Sequence, residues 1–436
     1  MQTYNFKIDF QPIIKIIDDV TIPKMYKIEQ KFEKHEDFDF TLKLDEELKK
    51  NIEVLKKLKN KKVCITAGSR GINNISKIIS QVVQMIKQYG GKPFIIPAMG
   101  SHGGATSEGQ VEMLKELGIT EETVGVPIIS RMDVVHIGDT NEGIPVYTSE
   151  DALNADAVIL VNRIKPHTSF RGDIESGLVK MSVIGLGKQK GAELCHKMGF
   201  YNYAERLKAM AKIVFSKVPI ICGVAIVEDS YDKTVDIKVL KPDEIFDEEP
   251  KLLKKASSLM PKILFDNLDV LIIDELGKDI SGDGMDPNIT GRYASEYVKS
   301  SPKTNRIVVL NLSKKTEGNA NGIGMADVTT LKVLEETDFT KGYINCITAA
   351  IPNTVRLPMV LPNDYLAIKA AIKTSNNLDY SGKYSRIVRI KNTLKLDKMF
   401  ISESLLNDAK NNPLINILSG PEDFEFDENG NIITKL

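Results

Sequence analysis

A two-domain α/β fold, with mixed or parallel sheets flanked by helices, is predicted by three features of the chain. From about residue 60 onward, short β-rich runs alternate with longer stretches of helical period, the pattern of successive βαβ units. One of these runs, Ala157 to Val161, is apolar throughout, as a strand covered on both faces must be. The alternation then starts afresh at Val270-Leu271-Ile272-Ile273, after a polar, Lys-rich stretch between Lys241 and Lys255. The chain has 436 residues, enough for two or three domains. The boundary is expected near Lys262, dividing residues 1–262 from residues 263–436.

Taken in order, Val63-Cys64-Ile65-Thr66 reads as a strand, because β-branched residues suit an extended backbone. Ile75, Ile78, Ile79, Val82, Val83 and Ile86 recur at three- and four-residue steps, so they share one face of a helix that Gly90-Gly91 ends. Phe94-Ile95-Ile96 is the next strand, and Gly100 to Thr106 a loop. Ser107, with Gln110 three residues on, has the form of a capping box for a helix from Gly109 to Leu117, stopped by Gly118. Short strands are expected at 128–130 and 144–147, where Pro127 and Pro145 suit edge positions. A helix over Ala204 to Val214 and a strand over Ile220 to Val227 follow. The second block holds strands at Ile307 to Leu310 and Ile387 to Ile390 and a helix near Asn363 to Lys373.

The 58 Lys plus Arg nearly cancel the 59 Asp plus Glu, leaving a formal charge of -1. No large field therefore points to nucleic acid or to an anionic membrane, while small neutral or anionic ligands remain open. The run Lys56 to Lys62 reads as the solvated end of a helix, since no aromatic residue interleaves it. No apolar run approaches the ~18 residues of a membrane span, and Met1 to Phe10 lacks a basic patch followed by an apolar core. A cytoplasmic protein is expected. Cys64, Cys195, Cys222 and Cys346 are widely spaced and form no C-x-x-C, which argues against a disulfide framework and a thiolate zinc site. The histidines are His35, His102, His136, His167 and His196, and their scarcity makes each informative.

Two of them follow predicted strands directly. In Met99-Gly100-Ser101-His102-Gly103-Gly104, glycines let backbone approach a ligand and the following helix start favours an anion. The other reading is a tight turn whose histidine satisfies a carbonyl. After Ala157 to Val161 comes Asn162-Arg163-Ile164-Lys165-Pro166-His167, where Pro166 interrupts regular structure. Ligands of open α/β sheets gather at strand carboxyl ends. A pair of imidazoles there can serve as acid and base, because their ordinary pKa near ~6.5 leaves both forms accessible. Taken alone, His167 also reads as a surface loop residue.

Lys180 stands inside the small and apolar stretch Gly177-Leu178-Val179-Lys180-Met181-Ser182-Val183. Apolar surroundings lower an amine's pKa and make it a nucleophile or a covalent tether; the alternative is a side chain snorkelling at a strand edge. His196 ends the helical-looking Ala192-Glu193-Leu194-Cys195-His196, either as a core histidine or as a single metal ligand. Three motifs are set aside. Gly185-x-Gly187-x-x-x-Gly191 misses the dinucleotide spacing by one residue, and Asp279-x-Ser281-x-Asp283-Gly284 has Thr290 where a calcium loop needs its Glu. No phosphate loop or nucleophile elbow is present.

Together, Ser69-Arg70, Gly100-Ser101-His102, Lys165-Pro166-His167, Lys180 and, sixteen residues later, His196 resemble the ordered landmarks of the nickel-dependent lactate racemase family. The resemblance covers roughly residues 10 to 230, and the second domain loosely. It implies inversion of the α-carbon of a 2-hydroxy acid, lactate or a relative, in a cleft between the domains. It also implies nickel held in a nickel-pincer nucleotide, pyridinium-3,5-bisthiocarboxylate mononucleotide, with Lys180 bonded to the cofactor and His196 completing the nickel coordination. By the same resemblance His102 and His167 are the acid and base, and Ser69 and Arg70 clamp an anion, either the cofactor phosphate or the substrate carboxylate. The chain departs from the family in three places. Ala67 stands where an acidic residue is usual, Gly177-Leu178-Val179 replaces a Gly-Gly before the lysine, and the second-domain Gln and Lys have no match around Gly282 to Tyr293, where Lys278 or Arg292 could substitute. Two other classes fit the same residues: a nucleotide- or ligand-binding protein without turnover, and a metal-dependent lyase or hydrolase with His102 and His167 as ligands.

Overall fold

The computed structural model describes residues 7–35, 38–298, 302–375 and 382–436. It is α/β, and it divides into two compact units, one formed by Glu33–Met260 and the other by the residues up to Phe32 together with Pro261–Leu436.

In the first unit a five-stranded sheet has the order Lys92–Pro97, Lys62–Ala67, Ala157–Arg163, Ile220–Glu228, Thr234–Leu240. The first four strands are parallel and the last antiparallel. The helix Ile75–Gln88 buries all six positions read at helical spacing, packing them against Ile65, Ile159, Val161 and Val224 of the sheet. Each such side chain contributes roughly 1.5–3 kcal/mol relative to exposure. Because neighbouring strands run in one direction, the loops beginning at Gly68, Ala98 and Ile164 all leave from the same edge of the sheet.

Some local elements differ from the sequence reading. Pro145–Ser149 pairs with Val134–Asp139 in a separate antiparallel pair, and Ile128 makes only a single bridge to Ile95. The turn at 140–144, closed by Thr140 N–H donating to the Ile144 carbonyl with Gly143 at φ +74°, pairs these strands with each other. The helix Ser107–Glu116 is capped by Thr106, whose Oγ1 accepts from Gly109 N–H at 3.0 Å, and not by Ser107. Gln110 is free of any capping duty and is fully buried.

The second unit is built on an eight-stranded sheet. Met359–Leu361, Val328–Thr330, Thr304–Leu312, Leu268–Leu276 and Ile387–Asn392 are parallel, and Lys395–Ser402, Met25–Gln30 and Ile415–Glu422 continue the sheet antiparallel. The strand Met25–Gln30 therefore belongs with residues beyond 260, whereas the expected boundary near Lys262 groups it with residues 1–262. Gln30 fixes it there: its buried amide donates to the carbonyls of Lys262 and Leu396 at 2.8 and 2.9 Å and accepts from Leu264 N–H at 2.8 Å. Among the described residues no helix is long and apolar enough to cross a membrane.

Candidate active site

Three loops on one edge of the smaller sheet carry most of the residues singled out above. Ser69 and Arg70 follow the strand Lys62–Ala67, His102 follows Lys92–Pro97, and His167 follows Ala157–Arg163. This is the side of a parallel sheet where ligands bind.

The loop of His167 is braced from within. Lys165 and Ser176 exchange backbone hydrogen bonds across its neck at 2.8 and 3.1 Å. Inside it, the buried Glu175 carboxylate accepts from His167 N–H at 2.6 Å and Gly172 N–H at 3.1 Å, and Arg171 Nη1 donates to the His167 carbonyl at 2.6 Å. Ser169 N–H donates to His167 Nδ1 at 3.0 Å, so the neutral ring carries its hydrogen on Nε2. Burial holds the His167 pKa well below the ordinary value, reinforced by the charges of Lys180, His196, Arg171 and Arg70. Arg70 itself is exposed.

Lys180 ends a single helical turn, Leu178–Lys180, that runs on into a π-helical turn, Met181–Gly185. It therefore sits on a helix and not at a strand edge. Such wide turns often mark functional segments. Gly177 offers no side chain to cap this start, and the cap comes from 70 residues downstream: the fully buried Glu249 accepts from Val179 N–H at 3.0 Å. A Cβ on Gly177 would lie 2.2 Å from Glu249 Oε1, and Leu178 fits only because Gly223 leaves it room, a Cβ there meeting Leu178 Cδ1 at 2.6 Å. These contacts explain the glycine at 177 and the room for Leu178 after it.

His196 closes the helix Lys188–His196 within a cluster of aromatic rings. Its ring centroid is 5.3 Å from Tyr203 and 5.6 Å from Phe200; His167 is 4.4 Å from Phe170 and 6.1 Å from Phe200. The Tyr203 hydroxyl lies 3.3 Å from His196 Nδ1 and, with its pKa pushed well above the ordinary value by burial, stays protonated. Burial, followed by the charges of Lys180 and Arg206, brings the His196 pKa down to about 3, so its lone pair is available at neutral pH. After burial, the Lys180 charge is the largest influence on both His167 and His196.

The loop of His102 joins the same framework through its backbone. Gly100 packs so closely that a Cβ would meet Ile184 Cγ2 at 3.1 Å and Ala192 Cβ at 3.5 Å, on the segments that bear Lys180 and His196. Gly185 and Gly187, set aside as an imperfect nucleotide motif, permit this packing: a Cβ on Gly185 would meet the Ala98 carbonyl oxygen at 2.7 Å, and one on Gly187 the Val183 carbonyl oxygen at 2.3 Å. A Cβ on Gly68, next to Ser69, would meet Met181 Cε at 3.3 Å. Arg70, Lys180 and His196 are thus each within electrostatic reach of His167, and His102 is tied in by its loop. In the other unit Arg292 bonds to Asp327 and to the carbonyls of Met325, Thr304 and Asn305, and Lys278 to the Gly282 carbonyl; Arg292 is a structural clamp there.

Sequence reasoning missed Glu175, Glu249, Phe170, Phe200 and Tyr203. Phe200 and Tyr203 had a visible signal, as aromatic residues four and seven positions after His196. Glu249 had none, lying in a Lys-rich stretch that looked solvated. Burial raises its pKa to about 7 against the opposing pull of the Val179 and Leu178 N–H groups. Its folded-state pKa therefore lies above the unfolded one, so the chain loses stability as pH rises from ~4.5 to ~7, by about 3 kcal/mol in all. Glu249→Gln is expected to remove that slope, measured as urea-unfolding free energies at pH 5, 6, 7 and 8; an unchanged slope would show that another group is responsible.

The family model for the lactate racemase N-terminal domain matches residues 14–207. The chain is similar to the solved lactate racemase apoprotein from Thermoanaerobacterium thermosaccharolyticum, with 13% identity, coverage of 89% of this chain and 86% of that one, and a TM-score of 0.46. A search of curated proteins gave no match. Residues 14–207, which carry Ser69, Arg70, His102, His167, Lys180 and His196, belong to the lactate racemase N-terminal domain family.

Proposed function

We propose that this protein is a racemase or epimerase that inverts the α-carbon of a 2-hydroxy acid, lactate or a relative, with a nickel-pincer nucleotide held by Lys180 and His196. The observation that supports the reading is the convergence of the His102 loop on the segments that bear Lys180 and His196, with His167 and His196 both packed on Phe200. The residues fit the cofactor. His196 offers a metal one uncharged nitrogen, and Lys180 offers the cofactor an amine that can be acylated. When bound, the cofactor supplies a hydride acceptor, so that the α-hydrogen need not leave as a proton next to a carboxylate.

The chain's own residues do the rest. His167 in its ground state presents an Nε2 hydrogen, which suits a bond to the substrate hydroxyl or keto oxygen. To take a proton at Nε2 the ring must pass its hydrogen to Nδ1, which the Ser169 amide blocks until that contact opens. His102 is the partner for the opposite face, and Arg70, with Ser69, is the clamp for a carboxylate or phosphate. Acylation of Lys180 would abolish its charge and with it the strongest electrostatic brake on protonating His167.

The test is the mass of the Lys180 peptide, together with metal analysis, in protein co-produced with the enzymes that make the cofactor. A cofactor mass on that peptide with equimolar nickel supports the reading. Unmodified Lys180 with an intact bound nucleotide, or zinc or manganese lost on His102→Ala, would replace it with a binding protein or a metal-dependent lyase or hydrolase.

A further inference from the structure

Lys188 stands at the start of the helix that ends in His196, almost fully buried and at φ +53°, a backbone region that disfavours any residue with a Cβ. A buried ammonium is tolerated only where acceptors take its hydrogens. Here Nζ donates to the Pro97 carbonyl at 2.6 Å and to Gln110 Oε1 at 3.3 Å. Gln110, equally buried, turns its Nε2 to the carbonyls of Gly100 at 3.0 Å and His102 at 3.2 Å. The bonds thus run without a break from the base of the His196 helix, past the end of the strand Lys92–Pro97, to the backbone on both sides of Ser101 and into His102 itself. Lys188 also decides which way the Gln110 amide faces, since a flipped amide would set its NH2 against the ammonium.

The same loop has little freedom elsewhere. A Cβ on Gly103 would lie 2.6 Å from the Gly109 carbonyl carbon, so the turn after His102 is pressed onto the first turn of the helix that bears Gln110. Gly100 is pressed against Ile184 and Ala192. We infer that Lys188 and Gln110 are positioning residues, a buried hydrogen-bonded pair that sets where His102 stands relative to the helix of His196. The inference rests on the proposed function only in giving His102 a catalytic role.

Two variants test it in the full chain. Lys188→Met removes the donor to Gln110, and Gln110→Glu keeps a partner for Lys188 while losing the hydrogens given to Gly100 and His102, so it spares the buried amine if Lys188→Met fails to fold. Hydrogen exchange of the peptide 99–106, whose amides are closed by bonds to Met99, His102 and Gly103, is expected to quicken at least about tenfold in both, with the helix Ile75–Gln88 unchanged. In cofactor-loaded enzyme kcat is expected to fall about 10²-fold, with KM within about threefold of wild type and the Lys180 adduct retained. Unchanged exchange at 99–106 in folded Gln110→Glu protein overturns the inference, as does equal quickening in Ile75–Gln88. If loaded wild-type protein racemises no 2-hydroxy acid, the proposed function fails, and the exchange result still decides whether the pair positions the loop.

Discussion

His167→Asn is expected to slow interconversion of the enantiomers of the preferred 2-hydroxy acid by about 10²–10⁴-fold, the usual contribution of a positioned acid or base. Asn keeps a hydrogen-bonding group near the Nδ1 position, where the Ser169 amide donates at 3.0 Å, so the loop braced by Glu175 and Arg171 is expected to hold its shape. The cofactor mass on the Lys180 peptide should therefore be unchanged while turnover, followed by chiral chromatography, collapses. Near wild-type turnover in an Asn variant that retains the adduct would remove His167 from the chemistry. Loss of both turnover and adduct would show that it serves cofactor binding.

The second large effect concerns the glycine that opens the helical turn of Lys180. Gly177→Ala places a Cβ 2.2 Å from Glu249 Oε1, 2.5 Å from its Cδ and 2.8 Å from Ile164 Cδ1. Glu249 is fully buried and bonded to the helix start, so it cannot swing away at low cost. A loss of about 3 kcal/mol is expected, read as a fall in urea midpoint at constant slope, together with loss of the Lys180 adduct as the helix start is displaced. Adding Glu249→Ala removes the atoms the new methyl strikes, so the double variant should be destabilised by less than the sum of the two singles. Strict additivity would mean that the methyl is accommodated elsewhere and that Glu249 does not hold this turn.

Sequence periodicity identified the helix Ile75–Gln88 and the central strand Ala157–Arg163 because both signals are local: one face every three or four residues, or burial on both faces of a single run. Loop residues at strand ends were legible for the same reason, as His102 and His167 each follow an apolar run and a glycine or proline break. Where a residue's role depends on a distant partner, the sequence was silent. Nothing local shows that Met25–Gln30 is a strand or that it pairs with residues some 370 positions later, and Glu249 gives no sign that it caps a turn 70 residues earlier. Gln110 was read as half of a capping box because its spacing from Ser107 permits one; burial against Lys188 assigned it other work.

What the sequence by itself determined is the order of elements and the kinds of group available: a scarce set of imidazoles, one lysine in an apolar stretch, and glycines at turns. Those follow from side-chain chemistry and neighbour spacing alone. Only the tertiary structure decided that the rings of residues 167 and 196 both pack on Phe200, and that burial lowers the pKa of each. Proximity and desolvation come from packing segments far apart in the chain, and no local pattern encodes either.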